Sequence, residues 1–95
     1  AAAEPAPAPR AAAKRPGRDA ILDLRAEVRR SEERVEKITD MLDRIAKKMA
    51  DPALYNDPHE AKLLGRKHAE ATAALPRAEA LWMEALERLE AAEKG

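Results

Sequence analysis

Cations set in short runs are the residues of this chain whose type and spacing could do chemistry. Arg44, Lys47 and Lys48 form one run, and Lys62, Arg66 and Lys67 another. Arg25, Arg29 and Arg30 form a third group, close in sequence to Lys14, Arg15 and Arg18. Such groups suit the neutralisation of phosphate, which supplies much of the affinity when a protein holds nucleic acid. Catalytic chemistry has no comparable set of residues. The chain has no cysteine, three glycines and two histidines, so disulfides, thiol chemistry and a glycine-rich phosphate loop have no residues behind them. His59 and His68 stand nine positions apart without a third ligand and do not make a metal site. No residues support an enzyme reading, and no cofactor is expected to bind here.

Against the phosphate reading stands a plainer one. Lys and Arg beside a helical seam are usually solvated, salt-bridged faces. The 95-residue chain carries 18 basic and 18 acidic residues, so net charge gives no argument for a nucleic-acid partner. The distribution is uneven, however. Residues 77–94 hold Glu79, Glu84, Glu87, Glu90 and Glu93 against Arg77, Arg88 and Lys94. Nothing resembles a recognition-helix motif, so any contact would read backbone and shape, as along A-form RNA, rather than base sequence.

The elements that must carry these cations are helices. Aromatics make up 2% of the chain and charged residues 38%, a composition that suits a long-helix protein better than a thick core. Residues 1–18 alternate Pro and Ala with Arg10, Lys14, Arg15 and Arg18, and are expected to form a basic, flexible linker. From Asp19, a plausible N-cap, apolar residues fall at Ile21, Leu24, Val28, Val35, Ile38, Leu42, Ile45 and Met49. Only Ser31 interrupts this 3–4 spacing, which predicts a helix over 19–50 with a narrow seam for another helix. A second series runs Ala61, Leu64, Ala71, Leu75, Ala78, Trp82, Ala85, Leu89 and Ala92, with His68 in the gap as a polar register residue. Leu63, Leu81 and Leu86 flank it. The run Asp57-Pro58-His59-Glu60 is a helix start, with Asp as N-cap and Pro at the first position. That places the second helix at 58–93, with a kink near Pro76 where a backbone donor is lost.

Between the helices, residues 51–57 read as an ordered bend. Asp51-Pro52 stops the first helix, a short turn brings Leu54 and Tyr55 over the seam's end, and Asp57 restarts the chain. The fold class is therefore all-α: an antiparallel two-helix coiled-coil hairpin with a disordered N-terminal linker. Folding about Tyr55 pairs Met49 with Ala61, Leu42 with His68, Val28 with Trp82 and Ile21 with Leu89. It also brings the 44–48 and 62–67 cations together. Trp82 is expected as a core filler, and Tyr55 is the better candidate for stacking on a base.

The bend also carries a likeness. Ala50-Asp51-Pro52-Ala53-Leu54-Tyr55, followed by a long Ala/Leu/Glu helix and then Ala78-Glu79-Ala80-Leu81-Trp82, resembles the C-terminal coiled-coil domain of the ABC-F family of soluble tandem ATPases, in particular the Uup type. The likeness spans about residues 19–93; Pro76 and the Gly65 segment depart from it. It implies a parent protein that uses ATP and Mg, acts on the ribosome in translation, and binds DNA through this domain. This chain has no Walker A pattern, so ATPase activity would belong to domains preceding Ala1. The implied setting is cytoplasmic, the implied partners are nucleic acid or ribosome and the ATPase domains of the same chain, and a monomer is expected. No apolar run approaches a membrane span. The alternative is a structural or protein-interaction hairpin that docks a partner through Leu63, Leu81 and Leu86.

Overall fold

A computed structural model describes residues 17–94. Helix α1 spans Arg18–Met49 and helix α2 spans Pro58–Lys94, joined by a 3-10 turn over Pro52–Asn56. The two helices lie antiparallel as one hairpin. The expected linker therefore lies outside the described residues except for Gly17 and Arg18, and Arg18 opens α1 rather than ending the linker. Among the described residues, no helix is long and apolar enough to cross a membrane.

The seam is where the heptad spacing puts it. Every α1 residue of the heptad series from Ile21 to Met49 is half-buried or buried, and so is Ser31. The same holds on α2 for Ala61 through Ala92, His68 excepted. The most deeply covered residues are Ile45 on α1 and Leu64, Ala71, Ala78 and Ala85 on α2, the last fully buried. Those four α2 residues recur every seven positions. Three of them are Ala, so the α1 backbone and its branched side chains can close on α2 without large side chains between. Burying an Ile or Leu stabilises the fold by about 1.5–3 kcal/mol each, and here those contributions are spread along a line rather than gathered in a core.

Two sequence expectations change, and a third holds. His68 is exposed and does not set register. An imidazole without a partner is costly to desolvate. Asp19 is not the N-cap of α1. Gly17 takes that place without a side-chain bond, and Asp19 sits in the first turn, where its charge favours the positive helix end. Pro76 lies inside α2 without ending it. Its ring points to solvent, and the heptad phase of the buried alanines passes it unchanged.

The bend is held by short, local bonds. Asp51 accepts a hydrogen bond from the Ala53 N–H at 3.0 Å, capping the 3-10 turn. Asp57 accepts one from the Glu60 N–H at 3.2 Å, capping α2 as its sequence predicts. Leu54 is half-buried over the seam, but Tyr55 is 68% exposed and is not part of the lid. Its hydroxyl donates to the Met49 carbonyl at 3.3 Å, satisfying one of the orphan carbonyls at the end of α1.

Candidate nucleic-acid interface

The heptad positions decide where each cation points. Arg44, Lys48 and Lys67 stand beside the seam and rim one groove between α1 and α2. Its floor is apolar, built from Ile38, Met41 and Ile45 on one side and Leu64, Ala71 and Ala74 on the other. Among the described residues, Glu70 is the one carboxylate on its rim. Lys47, Lys62 and Arg66 are exposed but do not line the groove. Lys47 and Arg66 fall at heptad positions opposite the seam, so they project from the outer backs of the two helices. The two runs therefore meet at one level of the hairpin, as the pairing requires, but they form a band around it rather than a single flat patch.

Toward the tip the band gives way to carboxylates. The end of the hairpin carries Asp51, Asp57 and Glu60 around a shallow hollow that Lys48 and Leu64 also line. Asp51 and Asp57 are occupied in capping, so the very end is acidic for reasons of local structure.

At the other end of the hairpin, the arginines have protein partners. Arg25 binds Glu93 at 3.1 Å, and Arg88 binds Glu27 at 2.6 Å. Arg25 is thus paired with the acidic end of α2. Arg29 and Arg30 are exposed beside it, and Arg18 lies by Ile21, Leu22 and Arg25 in a surface hollow. Lys14 and Arg15 lie outside the described residues. Among the described residues, none of the six band cations pairs with a carboxylate.

The pairing about Tyr55 gives the antiparallel arrangement but not the exact register. Arg25 and Glu27 meet residues eight and five positions beyond theirs. Eight positions are more than two turns of helix, so these pairs reflect the register of the two helices as well as the slant of long side chains. Sequence spacing locates a seam but not which way its flanking side chains lean.

Of the aromatics, Trp82 belongs to the seam. It is half-buried, and its Nε1 is buried without a hydrogen-bond partner. Tyr55 is tethered only by its hydroxyl and leaves its ring open to solvent. A band of cations near one exposed ring is an arrangement that can hold a phosphate backbone and stack on a base. Sequence reasoning missed Met41, 48% exposed in the groove floor; its position one residue before Leu42 in the seam was the available signal. No protein-family model, no curated protein and no solved structure matches this chain.

Proposed function

We propose that this hairpin is a non-catalytic nucleic-acid-binding domain, carried at the C-terminal end of an ABC-F type tandem ATPase. The observation that carries the binding role is the cation band: six exposed Lys and Arg residues at one level of the hairpin, without carboxylate partners among the described residues. The family assignment is supported by the sequence likeness at residues 50–55 and 78–82. Binding works through phosphate, not base edges, because the band surrounds a rod and offers no helix shaped for a groove. DNA and ribosomal RNA both present that backbone. ATP and Mg belong to the ATPase domains of the parent protein, and the setting is the cytoplasm.

The test is titration of fluorescent duplex DNA and of a structured RNA with the chain at several salt concentrations. If four or so cations touch phosphate, log K falls against log salt with a slope near −4, about −0.9 per contact on duplex DNA. Reversing Lys47, Lys48, Arg66 and Lys67 to Glu abolishes binding at moderate salt. Absence of binding to either nucleic acid at low salt overturns the proposal.

A second reading, a protein-interaction hairpin, is favoured by a different observation. Leu22, Met41, Leu81, Met83 and Leu86 are all more than a third exposed on so small a molecule. Single exposed apolar residues need no explanation, but grouped ones mark contact surfaces.

A further inference from the structure

Two of these exposed apolar sites sit in complementary charge. The groove at the band has an aliphatic floor, including Met41, under the rim of Arg44, Lys48 and Lys67. Its volume of ≈ 560 Å³ falls in the range of ligand pockets. Yet it is an open trough along two helices, with a floor that offers a small ligand no polar group to orient it. Ala71 and Ala74 make it hollow, because larger α2 residues there would fill the space opposite Met41. At the other end of the hairpin, α2 carries the reverse arrangement. Met83, Leu86 and Leu89 lie among Glu87, Glu90 and Glu93 on one surface. Met83 is 56% and Leu86 37% exposed. The groove runs from Ile38 to Lys48 on α1 and the acidic edge from Met83 to Glu93, each about 15 Å at 1.5 Å per residue.

We propose that copies of this chain associate head to tail, with the cationic groove of one taking the acidic α2 edge of the next. The proposal deepens the protein-interaction reading. Met83 and Leu86 of one copy sit over Met41 and the two alanines of its neighbour, while Glu87 and Glu90 face Arg44, Lys48 and Lys67. Glu93 stays with Arg25 of its own chain. In the heptads, the groove residues lie on one side of the seam, whereas Met83, Leu86 and Glu90 lie on the other side of α2. The two surfaces therefore share no residue and face different ways. A two-fold dimer cannot satisfy both, so the contact is heterologous, and each added copy leaves a groove and an edge unfilled.

Two charge-reversed variants of the full chain test this by sedimentation velocity, with far-UV circular dichroism confirming unchanged helix content. The first is Arg44→Glu with Lys67→Glu; the second is Glu87→Lys with Glu90→Lys. In low salt, the unaltered chain should show a mass that climbs with concentration and does not level off at two copies. Each variant alone should associate at least about tenfold more weakly, since attraction becomes repulsion at two positions. Mixed in equal amounts, they should regain open-ended association by alternating, because the intact groove of the second variant takes the intact edge of the first and the reversed groove of the first takes the reversed edge of the second. A monomeric parent chain, a plateau at a two-fold dimer, or a mixture that stays monomeric overturns the proposal. Failure of the nucleic-acid reading is separable. Reversing Lys47, Lys62 and Arg66, which lie outside the groove, should weaken nucleic-acid binding and leave self-association intact.

Discussion

Trp82 shows at the scale of one residue how a seam tolerates a defect. Its indole adds apolar area, but its buried Nε1–H finds no acceptor, a loss of about 1–3 kcal/mol when a polar group is left unmade. Trp82→Phe removes the orphan donor along with some area, and the two changes oppose each other. We expect Trp82→Phe to stay within ~1 kcal/mol of the parent chain, against a cost of about 3–5 kcal/mol for Trp82→Ala, both measured by urea unfolding. Equal costs would mean that the indole N–H has a partner after all. Gly65 offers a gain rather than a loss. It lies inside α2 with ordinary helical φ, and a Cβ there would meet nothing within 4 Å. Gly65→Ala should therefore stabilise the hairpin by about 0.5–1 kcal/mol through lost freedom of the unfolded chain. Thermal melting would register it as a rise of a few degrees.

At the scale of the element, α2 carries its own obstacle. Pro76 removes the N–H that would bond the Thr72 carbonyl, a change that costs ~3 kcal/mol in a regular helix. The helix persists because Ala71, Ala78 and Ala85 keep one phase on both sides of it, so packing on α1 outweighs the local loss. Pro76→Ala, at an exposed position, should restore the bond without touching the seam. We expect stabilisation of about 1–3 kcal/mol, read from the shift in unfolding midpoint at unchanged slope. The elements were legible because several local signals agreed. Asp57 followed by Pro58 named the start of α2 to the residue, and the 3–4 spacing named both seams. What failed were features that depend on the partner helix. His68 fits the spacing but stays exposed, since an imidazole without a partner is costly to desolvate. Tyr55 sits beside the lid residue Leu54, but a side-chain bond to Met49 holds it outside. Likewise, the six cations could be assigned to one level but not to one face, because their direction depends on which side of the seam each occupies.

For the whole molecule, charge and stability are largely separate. The ion pairs Arg25–Glu93 and Arg88–Glu27 are roughly half-exposed, and pairs of that kind contribute at most about 1 kcal/mol. The seam that holds the helices together is apolar. If the hairpin binds nucleic acid as proposed, raising salt should therefore weaken that binding by orders of magnitude while moving the melting temperature by only a few degrees. A parallel collapse of both would mean that the cations support the fold itself.

The hairpin's thinness has a consequence in time. Tyr55 and Met49 are bonded across six residues of chain, whereas Arg25 and Glu93 meet across 68. Between these extremes, each pair of facing residues is separated by more chain than the pair nearer the bend. Closing the far end first would carry the entropy of a long loop, but closing it after its neighbours carries almost none. Folding then resembles the drawing of a zip, begun at the bend and finished where the helices end. Asp57→Ala, which removes the cap beside the bend, should slow folding and leave unfolding nearly unchanged. Ala85→Leu, which overpacks the far seam, should do the reverse and speed unfolding. Stopped-flow kinetics of those two variants would show from which end the zip is drawn.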